Sequence, residues 1–146
     1  MEAAKFKNII WDYTRKINES VNNALSPVCE EYDLTILQAR ILMEVFRYGP
    51  NTIGGLADNI VVTRTNASVM CKKMEQMGFL NRVRDSEDER VVKVYLTDKG
   101  NEILSEIDKI MDKRISQIID NNREETVEDI IKGVHKLNEM LNKLNQ

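Results

Sequence analysis

Apolar residues recur at helical spacing toward both ends of the chain and switch to alternation only in the middle. Phe6, Ile9, Ile10, Tyr13, Ile17, Val21 and Leu25 fall three or four residues apart and predict a first helix that stops at Pro27. A second helix opens at Thr35-Ile36-Leu37-Gln38, a Thr-x-x-Gln capping box that satisfies backbone N–H groups at a helix start. Leu37, Ile41, Leu42 and Val45 form its apolar stripe, and Gly49-Pro50 ends it. Thr52 caps a short third helix over 53–59, weakened in its first turn by Gly54-Gly55. Thr63 caps a fourth helix, which runs to Gly78 as an αL stop and buries Ala67, Met70, Cys71, Met74 and Met77.

Beyond Gly78 the period falls to two. Residues 79–84 and 91–96 predict two antiparallel strands, with Val92, Val94 and Leu96 on one face and a charged loop over 85–89 between them. Thr97-Asp98-Lys99-Gly100 then opens a long helix to about residue 119. In the last helix, over 125–145, Val127, Ile130, Val134, Leu137, Leu141 and Leu144 alternate three and four residues apart. That is an a/d seam suited to another helix.

A short helix, a turn and a capped helix, followed at once by a strand pair, predict a winged helix-turn-helix. The fold class is mainly α with a small antiparallel β wing. In such motifs the second helix enters the major groove and its N-terminal residues reach base edges. Its exposed side chains suit that task. Arg64 can bridge guanine O6 and N7, Asn66 can pair with adenine, and Thr65 and Ser68 can serve bases or phosphates. Val69 is out of place on a solvated helix, and a thymine methyl group would give it a partner. Lys72 and Lys73 complete the face. On the wing, Arg84 and Arg90 bracket the acidic tip. Asp88 is expected to brace the wing through Arg82 or a backbone N–H, leaving Arg90 free for a narrow minor groove.

Charge changes the picture only locally. The net charge of −3 argues against nucleic-acid binding as an average, yet residues 61–100 carry eight Lys/Arg against six Asp/Glu. With 146 residues, 42% of them hydrophobic, the chain is one domain and too apolar for disorder. No apolar run approaches the ~20 residues of a membrane span, and the first residues carry no signal-peptide pattern, so a cytoplasmic location is expected. Cys29 and Cys71 lie far apart and His135 is the only histidine, so no metal cluster or cofactor is expected. Cys71 sits on a buried stripe. Cys29 is expected to be exposed, with Glu30 and Glu31 disfavouring its thiolate. No phosphate loop, dinucleotide fingerprint or Gly-x-Ser-x-Gly elbow is present, so the chain reads as no enzyme.

Leu34-Thr35-x-x-Gln38, Gly49-Pro50-x-Thr52, Leu56-Ala57, Gly78-Phe79-Leu80-x-Arg82, Asp88-x-Arg90 and Leu96-Thr97-Asp98-Lys99-Gly100 occur in order. Together they resemble the MarR family, the multiple-antibiotic-resistance regulators of bacteria and archaea. Gly55 and Val69 depart from its pattern, standing where an acidic and a polar or basic residue are frequent. The resemblance implies a single chain over 1–146, with a winged helix-turn-helix over 34–100 and dimerisation helices over 1–28 and 101–146. It implies a homodimer on a pseudo-palindromic duplex DNA operator, with Arg90 in the minor groove, Asp88 supporting it and the helix from Thr63 reading the major groove. It also implies a repressor released by a small aromatic or amphipathic effector acid. Trp11, Tyr13, Tyr32 and Phe46 can line such a crevice, although core packing is the expectation for each. The alternative is a winged-helix protein-interaction module without specific DNA binding.

Overall fold

A computed structural model describes residues 1–146. The elements are α1 (Ala3–Glu30), α2 (Ile36–Tyr48), β1 (Asn51–Thr52), α3 (Ile53–Ile60), α4 (Arg64–Gln76), β2 (Leu80–Arg84), β3 (Val92–Leu96), α5 (Asp98–Asp120) and α6 (Glu124–Asn142), closed by a 3₁₀ turn at Lys143–Asn145. They form two compact units, Met1–Ile107 and Asp108–Gln146. No helix is long and apolar enough to cross a membrane.

In the first unit, α2, α3 and α4 pack together over a three-stranded antiparallel sheet of order β1-β3-β2. Ile41, Leu42, Leu56, Met74, Leu80 and Val94 are fully buried at its centre. The caps form as read: Thr35 and Gln38 make the reciprocal box, and Thr52 and Thr63 accept from Gly55 N and Asn66 N. On α4, Ala67, Cys71 and Met74 are buried, while Met70 and Met77 are half-buried at the edge of the stripe. Gly78 takes φ 82° and Phe79 N–H donates to Met74 O at 3.0 Å, so α4 ends in a Schellman turn.

Four expectations change. Pro27 lies inside α1, which continues to Glu30 because Leu25, Val28 and Cys29 share one buried face, and this packing outweighs the missing proline N–H. The helix ends instead where Asp33 turns left-handed (φ 57°) and Leu34 N–H reaches Cys29 O at 3.1 Å. Cys29 is therefore buried, not exposed. Leu37 is exposed, because the first turn of α2 presents it to solvent. Trp11 (75% exposed) and Tyr13 stand on the N-terminal half of α1, which has no fully buried residue before Leu25. A short strand, β1, also joins the sheet through Asn51↔Val94 and Thr52↔Lys93.

Two glycines are demanded by close approach. A Cβ on Gly55 would collide with the Asn51 side chain, whose Oδ1 accepts from Thr52 N–H at 2.8 Å. The residue that departs from the family pattern thus makes room for the turn into α3. A Cβ on Gly100 would strike the Phe79 carbonyl oxygen. There Thr97 N–H donates to Phe79 O, the Thr97 hydroxyl donates to Gly78 O, and Lys99 Nζ donates to Met77 O. The Gly78-Phe79 and Thr97–Gly100 motifs are therefore two halves of one joint.

In the second unit no residue of α6 is fully buried. Ile130, Val134 and Leu144 of the seam are exposed, and Val127, Leu137 and Leu141 are half-buried.

Candidate nucleic-acid interface

α3 and α4 meet through the turn Val61-Val62-Thr63. Val61 adopts φ 59° and ψ 55°, a left-handed conformation that a β-branched side chain resists, and it is 87% exposed. Val62 N–H donates back to Ala57 O at 3.0 Å, which closes α3 and aims the next helix. The Thr63 cap then holds the first turn of α4 in register.

On the outer face of α4, Arg64, Thr65, Asn66, Val69, Lys72 and Lys73 are exposed and Ser68 is half-buried. The six are on one surface because the buried stripe occupies the opposite side of the helix. Arg64 leans toward α3: a Cβ on Gly54 would lie 3.2 Å from its guanidinium carbon. Arg64, Lys72 and Lys73 enter no ion pair, so their charge is unneutralised and faces solvent.

The wing is ordered by its own acids. Asp85 Oδ1 accepts from Glu87 and Asp88 N–H at 2.7 and 3.2 Å, and Arg84 Nη1 donates to the Glu89 carbonyl at 2.9 Å. Asp88 does not pair with Arg82. Its Oδ1 accepts from both the backbone N–H and Nε of Arg90 at 3.1 Å, and Oδ2 accepts from Nη2 at 3.3 Å. Arg90 is thus tethered, since Asp88 is only two residues away and the loop folds both toward the tip. Its side chain still stands 90% exposed. The Arg90 side chain first, and its backbone N–H second, hold the Asp88 carboxyl below the ordinary aspartate range.

Arg82 has another partner. Glu75, near the end of α4, accepts from Arg82 backbone N–H at 2.7 Å and from its Nε and Nη2 at 3.3 and 3.1 Å. The backbone bond leads in lowering the Glu75 pKa; desolvation opposes it as the next-largest effect, and the side-chain bonds and the charge of Arg82 restore the downward shift. This clamp ties α4 to the root of the wing. Sequence reading missed Glu75 because its partner lies seven residues on, across a turn, where no periodic rule applies. Lys99, which joins the Gly78 turn and lies 4.9 Å over the Phe79 ring, was legible only as part of a motif.

No group of three or more His, Cys, Asp or Glu side chains is placed to hold a metal ion. Both cysteines are free and buried. Burial pushes the Cys71 thiol up to about 11, with Glu75 adding and Arg82 opposing. Burial first, and Glu30 second, raise Cys29.

Residues 23–107 match the family described as transcriptional regulator SarA/Rot. An HTH-type transcriptional regulator of Bacillus subtilis (strain 168), YkoM, is 31% identical over 88 residues, covering 60% of this chain and 57% of that protein. The match thus spans little more than half the length of that relative. A MarR family protein from Bacillus stearothermophilus shares the fold at a TM-score of 0.80 and 19% identity, over 97% of this chain and 99% of that one. Streptococcus pneumoniae FabT, solved in complex with DNA, aligns at a TM-score of 0.75 and 23% identity, over 92% and 99% of the two chains. The fold is therefore the MarR-type winged helix-turn-helix, and the matching family is one of regulators, not enzymes. The chain belongs to the SarA/Rot family of transcriptional regulators.

Proposed function

We propose that this protein is a homodimeric transcription regulator that binds a pseudo-palindromic duplex operator, with α4 in the major groove and the β2–β3 wing in the minor groove. The observation that carries the reading is the distribution of paired and unpaired charge. Asp88 and Glu75 are engaged by arginines, whereas Arg64, Lys72 and Lys73 point unpaired from one helix, and Arg90, though held by Asp88, keeps its side chain 90% exposed on the wing. Phosphates supply the missing counter-charge. Arg64, Thr65, Asn66, Ser68, Val69, Lys72 and Lys73 line the major-groove side. Arg84 and Arg90 serve the wing, while Arg82 and Asp88 hold it in place.

The α6 seam supports the dimer. Val127, Ile130, Val134, Leu137, Leu141 and Leu144 lie in heptad spacing with none fully buried, which leaves apolar surface for a second copy. Repression, and release by a small aromatic or amphipathic acid, are the family-derived part of the proposal. A ligand of that kind acts only if it favours a spacing of the two α4 helices that the operator does not accept.

The test is fluorescence anisotropy with duplex DNA from upstream of the coding sequence, across a salt series, with scrambled DNA and Arg90→Ala as controls. The expected result is native-sequence preference, steep salt dependence, and a logarithmic slope shallower by about 1.8 in the mutant, from the loss of one Arg90 contact in each of the two wings. Light scattering on Val134→Glu, which alters an exposed position and not the core, is expected to show a monomer in place of a dimer. A folded dimer that ignores all DNA at low salt would overturn the proposal in favour of a protein-interaction module.

A further inference from the structure

The structure separates the residues of α4 into a centre and two flanks. With 100° per residue, the line opposite the buried stripe Ala67-Cys71-Met74 passes through Thr65, Val69, Lys72 and Gln76. Thr65 and Val69 sit one turn apart on that line. Arg64 and Ser68 fall to one side, where Ser68 is half-buried and Arg64 leans against Gly54. Asn66 and Lys73 fall to the other.

Arg64, Asn66 and Lys73 therefore flank the axis of the reading face, Lys72 and Gln76 hold its C-terminal half, and its middle is occupied by Val69. Val69 is 61% exposed and has no apolar neighbour to cover it on that line: Thr65, Lys72 and Gln76 are all polar. Valine is also a poor helix former, so its place there is not explained by local stability. Its two γ-methyl groups offer no hydrogen bond. In the major groove, the one base substituent that matches an apolar side chain is the 5-methyl of thymine.

We infer that Val69 is a specificity-determining residue that reads a thymine 5-methyl group at the centre of each half-site. Thr65, one turn earlier, adds a methyl and a hydroxyl beside it. This deepens the proposed function and rests on α4 entering the major groove. The flanking cations supply affinity, and the central valine supplies a preference that hydrogen bonding does not carry.

The full chain is used to select duplexes from a randomised library, and the enriched duplex is resynthesised with each thymine replaced in turn by deoxyuridine, which removes only the methyl. One position per half-site is expected to lose about fourfold in affinity, and both together about fifteenfold, the scale of one buried methyl per half-site. Val69→Ala, which leaves the helix intact, is expected to bind the thymine and deoxyuridine duplexes equally, whereas Val69→Ile keeps the preference. An enriched duplex that tolerates deoxyuridine at every position, or a Val69→Ala variant as sensitive as the wild type, overturns the assignment while leaving DNA recognition in place. Failure to enrich any sequence overturns the groove reading itself.

Discussion

The carboxylate of Glu75 accepts three hydrogen bonds from one residue, Arg82, through the backbone N–H, Nε and Nη2. One side chain thereby fixes both the course of β2 and the rotamer of its arginine. The pair spans the joint between the helix proposed to read the major groove and the wing proposed to enter the minor groove.

Glu75→Gln is expected to lower stability by about 1 kcal/mol, less than a buried charged hydrogen bond contributes because solvent still reaches both partners. The penalty has a pH signature. Arg82 holds the folded-state pKa of Glu75 below its unfolded value, so the clamp's stabilisation is present above about pH 4.3 and is lost as pH falls through the folded pKa. Urea denaturation of both proteins should therefore give midpoints that differ at pH 7 and converge in acid. A gap unchanged down to pH 3 contradicts this role for the carboxylate.

Under the proposed minor-groove role of Arg90, its bonds to Asp88 would have to compete with DNA. Asp88→Asn keeps an oxygen for the Arg90 backbone N–H but removes a negative charge from the wing tip. The expected result is tighter DNA binding by about twofold to fivefold at 0.1 M salt, with a steeper salt slope. Weaker binding by the variant would mean that the ion pair orients Arg90 for the groove and does not hold it back.

Val61 carries backbone strain in the turn before α4, at φ 59°. Because it is exposed, its side chain contributes little to the core. Val61→Gly is expected to raise stability by about 1 kcal/mol, relief of the left-handed penalty less the entropy that glycine adds to the unfolded chain. A lowered denaturation midpoint would show that the valine makes a compensating contact.

Neither thiol is poised for redox chemistry. Cys71 lies near pKa 11 and Cys29 is raised as well, both chiefly through burial. A disulfide-exchange reagent should label the native protein no faster than it unfolds, and mild peroxide should leave DNA binding unchanged. Rapid labelling of Cys29 at neutral pH would mean that the α1–α2 junction opens locally.

Much of this architecture was legible in the chain because it is written in local rules. The Thr35–Gln38 box, the Thr52 and Thr63 caps, the Gly78 turn and the alternation of Val92, Val94 and Leu96 each depend on neighbours a few residues apart. What escaped depends on distant partners. Pro27 is carried inside α1 by burial of Val28 and Cys29, and β1 is two residues long and exists only because β3 passes beside it. Glu75 was invisible for the same reason. Of the outer-face residues of α4 read as exposed, all but the half-buried Ser68 are so, but their division into an axis and flanks required the direction in which Ala67, Cys71 and Met74 are buried.

β3 is the middle strand of its sheet, paired on one side with β2 and on the other with Asn51 and Thr52. A ribosome delivers β1, then β2, and only afterwards the strand that both require. Until Val92–Leu96 leaves the exit tunnel, the two earlier segments have no edge to bind. The helices between them can form on local contacts, but the wing cannot close in stages. For a nascent chain, β3 is the keystone, and a stall in translation before it yields helices with nothing to anchor the wing.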